Sequence, residues 1–211
     1  MVRVRVRQHV NPFSKKYQQP LNLPDWEQIY QTLPQPLLLD IGCARGKFLE
    51  QMAKLEPHRN FLGLEIREPL VKYANSRRDE LGLTNLNYLF INANNSLTNL
   101  LESLPIGLLQ QVTIQFPDPW FKRKHNKRRV VQPELVDNLY RYLAEGGTVF
   151  LQSDVEQLAK QMRKTFQAHP HFEIQHQETW LEHNPFSVLT ERETMTLAKG
   201  QPIYRALFAK A

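Results

Sequence analysis

From Leu37 onward the sequence alternates between two kinds of segment, and this alternation restricts the fold more than any other feature of the chain. Short apolar runs bounded by turn residues read as buried strands: Leu37–Asp40, Phe61–Glu65, Leu86–Asn92, Gln111–Phe116 and Thr148–Ser153. Between them lie longer stretches with helical spacing, at Lys47–Leu55, Glu68–Leu81, Ser96–Leu104, Gln132–Leu143 and Val155–Ala168. Strands that are apolar throughout are covered on both faces, and the intervening helices supply the cover. Phe172–Gln177 and Ile203–Ala209 read as two closing strands, paired like a hairpin and separated by a long 178–202 segment with no clear structure of its own. The expectation is α/β: a doubly wound, mostly parallel seven-stranded sheet with helices on both faces. A length of 211 residues fits one such domain over 37–211 and a basic, Pro-rich N-terminal arm over 1–36.

The arm holds five prolines, at 12, 20, 24, 34 and 36, and one candidate short helix near Asp25–Thr32. Its Val-Arg alternation over 2–7 suits either an extended arm or an edge strand with one apolar face. Charge is distributed unevenly. Residues 1–24 carry Arg3, Arg5, Arg7, Lys15 and Lys16 without an acid, and residues 122–129 (KRKHNKRR) carry six more basic groups without an acid. Setting those eleven aside leaves 16 basic against 21 acidic residues, so an acidic body carries two cationic segments. Basicity packed this way is the footprint of a polyanionic partner; a solvated loop is the alternative. A single cysteine excludes a disulfide framework and a Cys-based zinc finger, and points to a reducing compartment. No apolar run approaches the roughly 18 residues of a membrane helix, and the start lacks the apolar stretch of a secretory signal. The expected location is cytoplasmic.

Ligands of open α/β sheets bind beyond the carboxyl ends of the strands. The first strand ends Asp40-Ile41-Gly42-Cys43-Ala44-Arg45-Gly46-Lys47, where Gly42 and Gly46 permit a tight turn and close approach by a ligand. The dinucleotide pattern G-x-G-x-x-G is absent, and Asp40 ahead of the loop disfavours a phosphate and favours a cationic group. Glu65, 25 residues on, ends the second strand, where an acid can accept both hydroxyls of a ribose. Alone, Asp40 could cap the turn and Glu65 could be a surface carboxylate. Together they suit a methyl donor with an ammonium, a sulfonium and a ribose. The loop resembles motif I of class I S-adenosylmethionine-dependent methyltransferases, a Rossmann-like family, with Ala44 in place of the middle glycine of D/E-x-G-x-G-x-G. Asn92-Ala93 stands where that family contacts adenine.

The fourth strand runs into Phe116-Pro117-Asp118-Pro119-Trp120-Phe121 and then into the basic run. Two prolines fix backbone φ on either side of Asp118, and Trp120 offers a flat surface on which a base could stack, unless it is core. The whole stretch from Phe116 to Arg129 resembles the signature of the tRNA (guanine-N7-)-methyltransferases. Ser153-Asp154 is similar to the family's (S/T)-D, and Thr190-Glu191-Arg192-Glu193 to its T-x-x-E, with Arg192 where an aromatic residue is usual. Gly200-Gln201-Pro202-Ile203-Tyr204-Arg205 resembles its C-terminal stretch, so the likeness spans about Pro36 to Ala209. The resemblance implies methyl transfer from S-adenosylmethionine to N7 of a tRNA guanosine, usually position 46 in the variable loop. It also implies roles. Asp40, Gly42, Gly46, Glu65, Asn92 and Asp118 hold the cofactor, with Asp118 catalytic. Lys122, Asp154, Thr190 and Glu193 hold the guanosine, and Lys124, His125, Asn126, Lys127, Arg128 and Arg129 contact RNA.

The chemistry is compatible. Guanine N7 has an in-ring lone pair that needs no general base, and methylation puts positive charge on the ring, which fixed acceptors stabilise. Nothing here indicates a metal: His169 and His171 have no further ligands nearby in sequence. Ser153-x-x-Glu156 and Thr190-x-x-Glu193 also fit a capping box, a purely structural reading. Two other functions compete. One is an amino-methyltransferase acting on adenine or glutamine, whose N/D-P-P-Y/W motif places a second proline where Trp120 stands. The other is a non-catalytic RNA-binding module with a vestigial donor pocket, against which the intact Asp40, Glu65 and Asp118 argue. Monomer and homodimer remain equally open, since no apolar stripe decides between them.

Overall fold

The computed structural model describes residues 10–20 and 22–211. The Val-Arg alternation over 2–7 lies outside the described residues. Seven strands form the sheet: β1 (Leu37–Ile41), β2 (Asn60–Glu65), β3 (Leu86–Phe90), β4 (Leu109–Gln115), β5 (Thr148–Ser153), β6 (Phe172–Ile174) and β7 (Tyr204–Lys210). Their spatial order is β3-β2-β1-β4-β5-β7-β6. The first five strands run parallel, and β7 is antiparallel to both β5 and β6. This is the expected doubly wound sheet with its antiparallel closing pair. The order reverses between β1 and β4, so the crevice beyond the carboxyl ends of those two strands is where such a sheet takes a ligand.

Side-chain alternation divides the core into two layers. Leu37, Leu39 and Ile41 of β1 pack with Leu62 and Leu64 of β2 against α4 (Ala93–Glu102), α5 (Pro133–Tyr142) and α6 (Glu156–Gln167). Leu38 and Phe61 point the other way, toward α2 (Lys47–Leu55) and α3 (Glu68–Glu80). Helix α2 buries Phe48, Leu49, Met52 and Ala53, whose spacing is one helical stripe. Each fully buried leucine or phenylalanine contributes about 1.5–3 kcal/mol, so the two layers hold the sheet flat enough to present its loops on one edge.

Two elements depart from the expectation. The short helix α1 covers Trp26–Ile29, capped by Asp25, and it is not part of a separate arm. Trp26 and Tyr30 are buried in the larger core layer; Trp26 Nε1 donates to Ser103 Oγ at 3.0 Å and Tyr30 Oη donates to the Phe61 carbonyl at 3.0 Å. Residues 25–30 therefore share the core of the α/β domain. The second departure is α7 (Glu191–Leu197), inside the segment expected to lack structure. Its sequence is too polar to show a helical stripe, and it is held through polar contacts.

Candidate active site

The glycine loop crosses the end of β1 in a run of left-handed backbone. Gly42, Ala44 and Gly46 have φ of 88°, 51° and 73°. Ala44 thus takes, with a side chain, a conformation that the middle glycine of the motif would take freely, at a cost of about 1–2 kcal/mol. Gly46 has no such latitude: a Cβ there would stand 2.4 Å from the Tyr88 ring, whose hydroxyl donates to the Gly46 carbonyl at 2.7 Å. A Cβ on Gly42 would meet nothing within 4 Å, because that residue faces the open cavity. The cavity is lined by Ile41 and Gly42 after β1, Glu65, Ile66 and Arg67 after β2, Ile91 to Asn94 after β3, Phe116 to Asp118 after β4, and Trp120 and Arg128 beyond. Four strand ends converge on it at the switch point.

Asp40 lies just under this lining, 4% exposed, with Thr113 Oγ1 donating to its Oδ1 at 2.6 Å. Burial pushes its carboxyl up to about 6, more than the hydrogen bond from Thr113 pulls it down. Glu65 is buried at the cavity wall and carries four donors. Its Oε1 accepts from the Arg67 backbone N–H (2.9 Å) and Nε (3.0 Å), and its Oε2 from the Ala44 N–H (3.0 Å) and Arg67 Nη2 (3.1 Å). Composition gave no sign of Arg67, yet its guanidinium sits side-on against the edge expected to receive a ribose. Asn92 lines the cavity too, but its amide donates to the carbonyls of Pro12 (3.0 Å) and Tyr17 (3.3 Å). Val10, Pro12 and Tyr17 thus lie on the Asn92 side of the cavity, with Val10 and Pro12 in the wall.

Asp118 is exposed and lines the cavity, as expected of the residue between two prolines. The flanking residues add a second constraint: Phe116 and Trp120 have φ of 50° and 43°, left-handed values that cost roughly 1–3 kcal/mol each in a residue with a side chain. Strain on both sides and fixed proline φ between them leave the carboxylate little freedom. Its charge is felt by Arg67, whose pKa Asp118 helps to raise.

The expected guanosine and RNA residues separate into groups. Lys122 is exposed. Asp154 is half-buried and pairs with Arg192, whose Nε lies 2.9 Å from Oδ2. Thr190 caps α7, accepting from the Glu193 N–H at 3.1 Å. Glu193 departs from the expectation that it meets the guanosine. It is 0% exposed, and its oxygens accept from Arg205 Nη2 (2.9 Å), Gln152 Nε2 (3.0 Å) and Asn184 Nδ2 (2.7 Å). A carboxylate held by two buried donors and the half-buried Asn184 fixes α7 to β5 and β7. The alternative capping box at Ser153 does not form, since α6 begins after Val155 and Ser153 Oγ accepts only from the Val155 N–H nearby.

Residues 123–128 form a 3-10 helix. Lys124, Asn126 and Lys127 are exposed, as RNA contacts must be. Arg129 is not: it is 6% exposed, its Nε donates to the Pro119 carbonyl at 2.8 Å, and it braces the Pro-Asp-Pro segment from below. Arg128 and His125 pack on the Trp120 ring at 5.0 and 5.6 Å. Trp120 is half-buried and lines the cavity, with the protein's own Arg128 guanidinium over its ring. His169 and His171 stack on Tyr140, and Cys43 is buried against Gly63 beneath the loop.

Comparison with known proteins accords with this geometry. A family model described as "Putative methyltransferase" matches residues 34–206. The tRNA (guanine-N(7)-)-methyltransferase of Microcystis aeruginosa is 62% identical over 99% of this chain and 99% of its own length. That of Synechococcus elongatus is 56% identical over 100% of this chain and 98% of its own. Among solved structures, a SAM-dependent methyltransferase from Aquifex aeolicus superposes with a TM-score of 0.55 at 13% identity, covering 93% of this chain and 96% of that one. Precorrin-6y C5,15-methyltransferase from Geobacter metallireducens gives 0.55 at 13%, covering 87% and 85%. Those structures share the fold. The near-full-length identity goes further: the chain belongs to the tRNA (guanine-N(7)-)-methyltransferase family.

Proposed function

We propose that this protein transfers a methyl group from S-adenosylmethionine to N7 of a guanosine in tRNA, at position 46 of the variable loop, in the cytoplasm. The observation that carries the reading is the meeting of Glu65, Asn92 and Asp118 in one cavity at the β1/β4 switch point, with a cationic helix beginning five residues beyond Asp118. The cavity fits the donor chemically. Asp40 and Asp118 suit an ammonium and a sulfonium, open space over Gly42 admits close approach, and the two Glu65 oxygens suit a ribose diol once the Arg67 guanidinium swings aside. When bound, the donor supplies a methyl carbon to the N7 lone pair, the C–S bonding pair returning to sulfur. The chain's own task is placement. Asp118, held by strain and proline geometry, stabilises the positive charge that builds on the purine without moving to meet it. Asp154, held by Arg192, accepts from guanine N–H donors, and Thr190 and Lys122 are assigned to the guanosine with it. Glu193 serves this site by holding α7.

Asp118→Ala tests the assignment. Methyl transfer to tRNA falls by about 100-fold or more, on the scale of removing a preorganised electrostatic group. Affinity for tRNA, read by gel shift, stays within about twofold. Unchanged turnover removes Asp118 from the mechanism.

A further inference from the structure

Phe121 is 72% exposed, more than any other aromatic side chain among the described residues. It follows Trp120 directly, so it sits where the strained Pro-Asp-Pro segment leaves the cavity and the cationic helix begins. Leaving a phenylalanine in water forgoes about 1.5–3 kcal/mol of burial, and among the described residues no other aromatic ring packs against it. Lys122, Arg123 and Lys124, the next three residues, are all exposed. Such surroundings suit neither a folded protein's apolar core nor a lipid tail. A nucleobase is different: its sugar-phosphate is drawn by the cations and its π face by the ring. Phe13, 51% exposed with Lys127 Nζ 5.5 Å from its ring centre, repeats the pairing of aromatic plate and cation on the same strip. Trp120 is less available, being half-buried with the Arg128 guanidinium 5.0 Å from its ring centre.

We infer that Phe121 is a stacking platform for a nucleobase of the bound tRNA at the mouth of the donor cavity. The inference rests on the tRNA reading above. It also answers a physical demand of that reading: a ring nitrogen of a structured RNA becomes reachable when the base leaves its stack, and the stacking surface given up has to be replaced. Phe121 replaces it without reading sequence, since every base has a π face.

The test separates stacking from charge. Equilibrium binding of tRNA is measured for the wild-type protein, Phe121→Ala, Phe121→Leu, Phe121→Trp and Lys124→Ala/Lys127→Ala at four potassium chloride concentrations. Phe121→Ala weakens binding about 5- to 150-fold, the range of stacking one base. Its plot of log affinity against log salt runs parallel to wild type, because no phosphate contact is lost. The double lysine variant flattens that slope by about one unit per contact. Phe121→Trp binds within about threefold of wild type, and Phe121→Leu is at least fivefold weaker. A loss below fivefold in Phe121→Ala, a flattened slope in that variant, or full binding by Phe121→Leu each overturns the inference. Failure of the wild-type protein to bind tRNA overturns instead the reading on which it rests.

Discussion

Asp40 holds a carboxyl group under a loop where water cannot reach it, with a hydroxyl donor and no cation in direct contact. Its pKa, raised to about 6 from 3.8 by burial, has a stability consequence of definite sign. The folded protein binds this proton more tightly than the unfolded chain does. Stability therefore falls as pH rises from 3.8 through 6, and about 3 kcal/mol has been lost at neutral pH. Asp40→Asn removes that loss. In urea denaturation the variant's stability relative to wild type rises by about 2–3 kcal/mol between pH 4 and pH 7, while donor affinity at pH 7 falls. A stability difference that does not change with pH contradicts this account of the site. Such a trade of stability for function is expected where an acid waits for a cationic ligand. At the same scale, Asp40 and Glu65 were legible because they lie at the carboxyl ends of β1 and β2, readable from apolar runs, and Asp118 because two prolines frame it just beyond β4. Arg67 was not legible: a basic residue two positions after an acid carries no signal until the backbone turn brings its guanidinium back onto that acid.

Helix α7 shows what governs the elements. Its seven residues are too few to be stable alone, and it buries only Glu193 and Thr196. The hydrogen bonds of Glu193 to Arg205, Gln152 and Asn184 tie it to β7, β5 and the preceding loop. Gln152 passes the connection on to β4, donating to Gln115 Oε1 at 2.7 Å. Lys47, at the start of α2, reaches Glu191 across the glycine loop at 2.7 Å. The helix is thus strung between the donor loop and the far strands. Glu193→Ala leaves Arg205 buried without its partner, at a cost of about 3–5 kcal/mol in chemical denaturation. A variant as stable as wild type but selectively poor in guanosine binding places Glu193 on the substrate instead. The T-x-x-E pattern was visible in the sequence, and so was the possibility of a cap; that Thr190 caps while Glu193 turns inward depends on Arg205, a residue twelve positions away on an antiparallel strand. Parallel βα units could be read locally. The two closing strands were legible as well, but the polar fastening of α7 to that end of the sheet was not.

Across the whole molecule, a net charge of +6 coexists with an acidic body because eleven of the cations are concentrated in two segments. The described part of that concentration flanks a cavity walled by carboxylates, so an RNA backbone and a cationic methyl donor are drawn to adjoining places without competing for one surface. Arg128 and Arg129 belong to the run by sequence but to the architecture by contact, one over Trp120 and one beneath Pro119. Fewer of its cations are free to meet a phosphate than a count of basic residues suggests. The central claim is that the two surfaces meet at one purine nitrogen. Incubation of the protein with tRNA and radiolabelled S-adenosylmethionine, followed by chain scission at 7-methylguanosine, tests it most directly. The account predicts label in 7-methylguanosine and a single cut in the variable loop at position 46. Label in N6-methyladenosine, in protein, or in no product at all contradicts it.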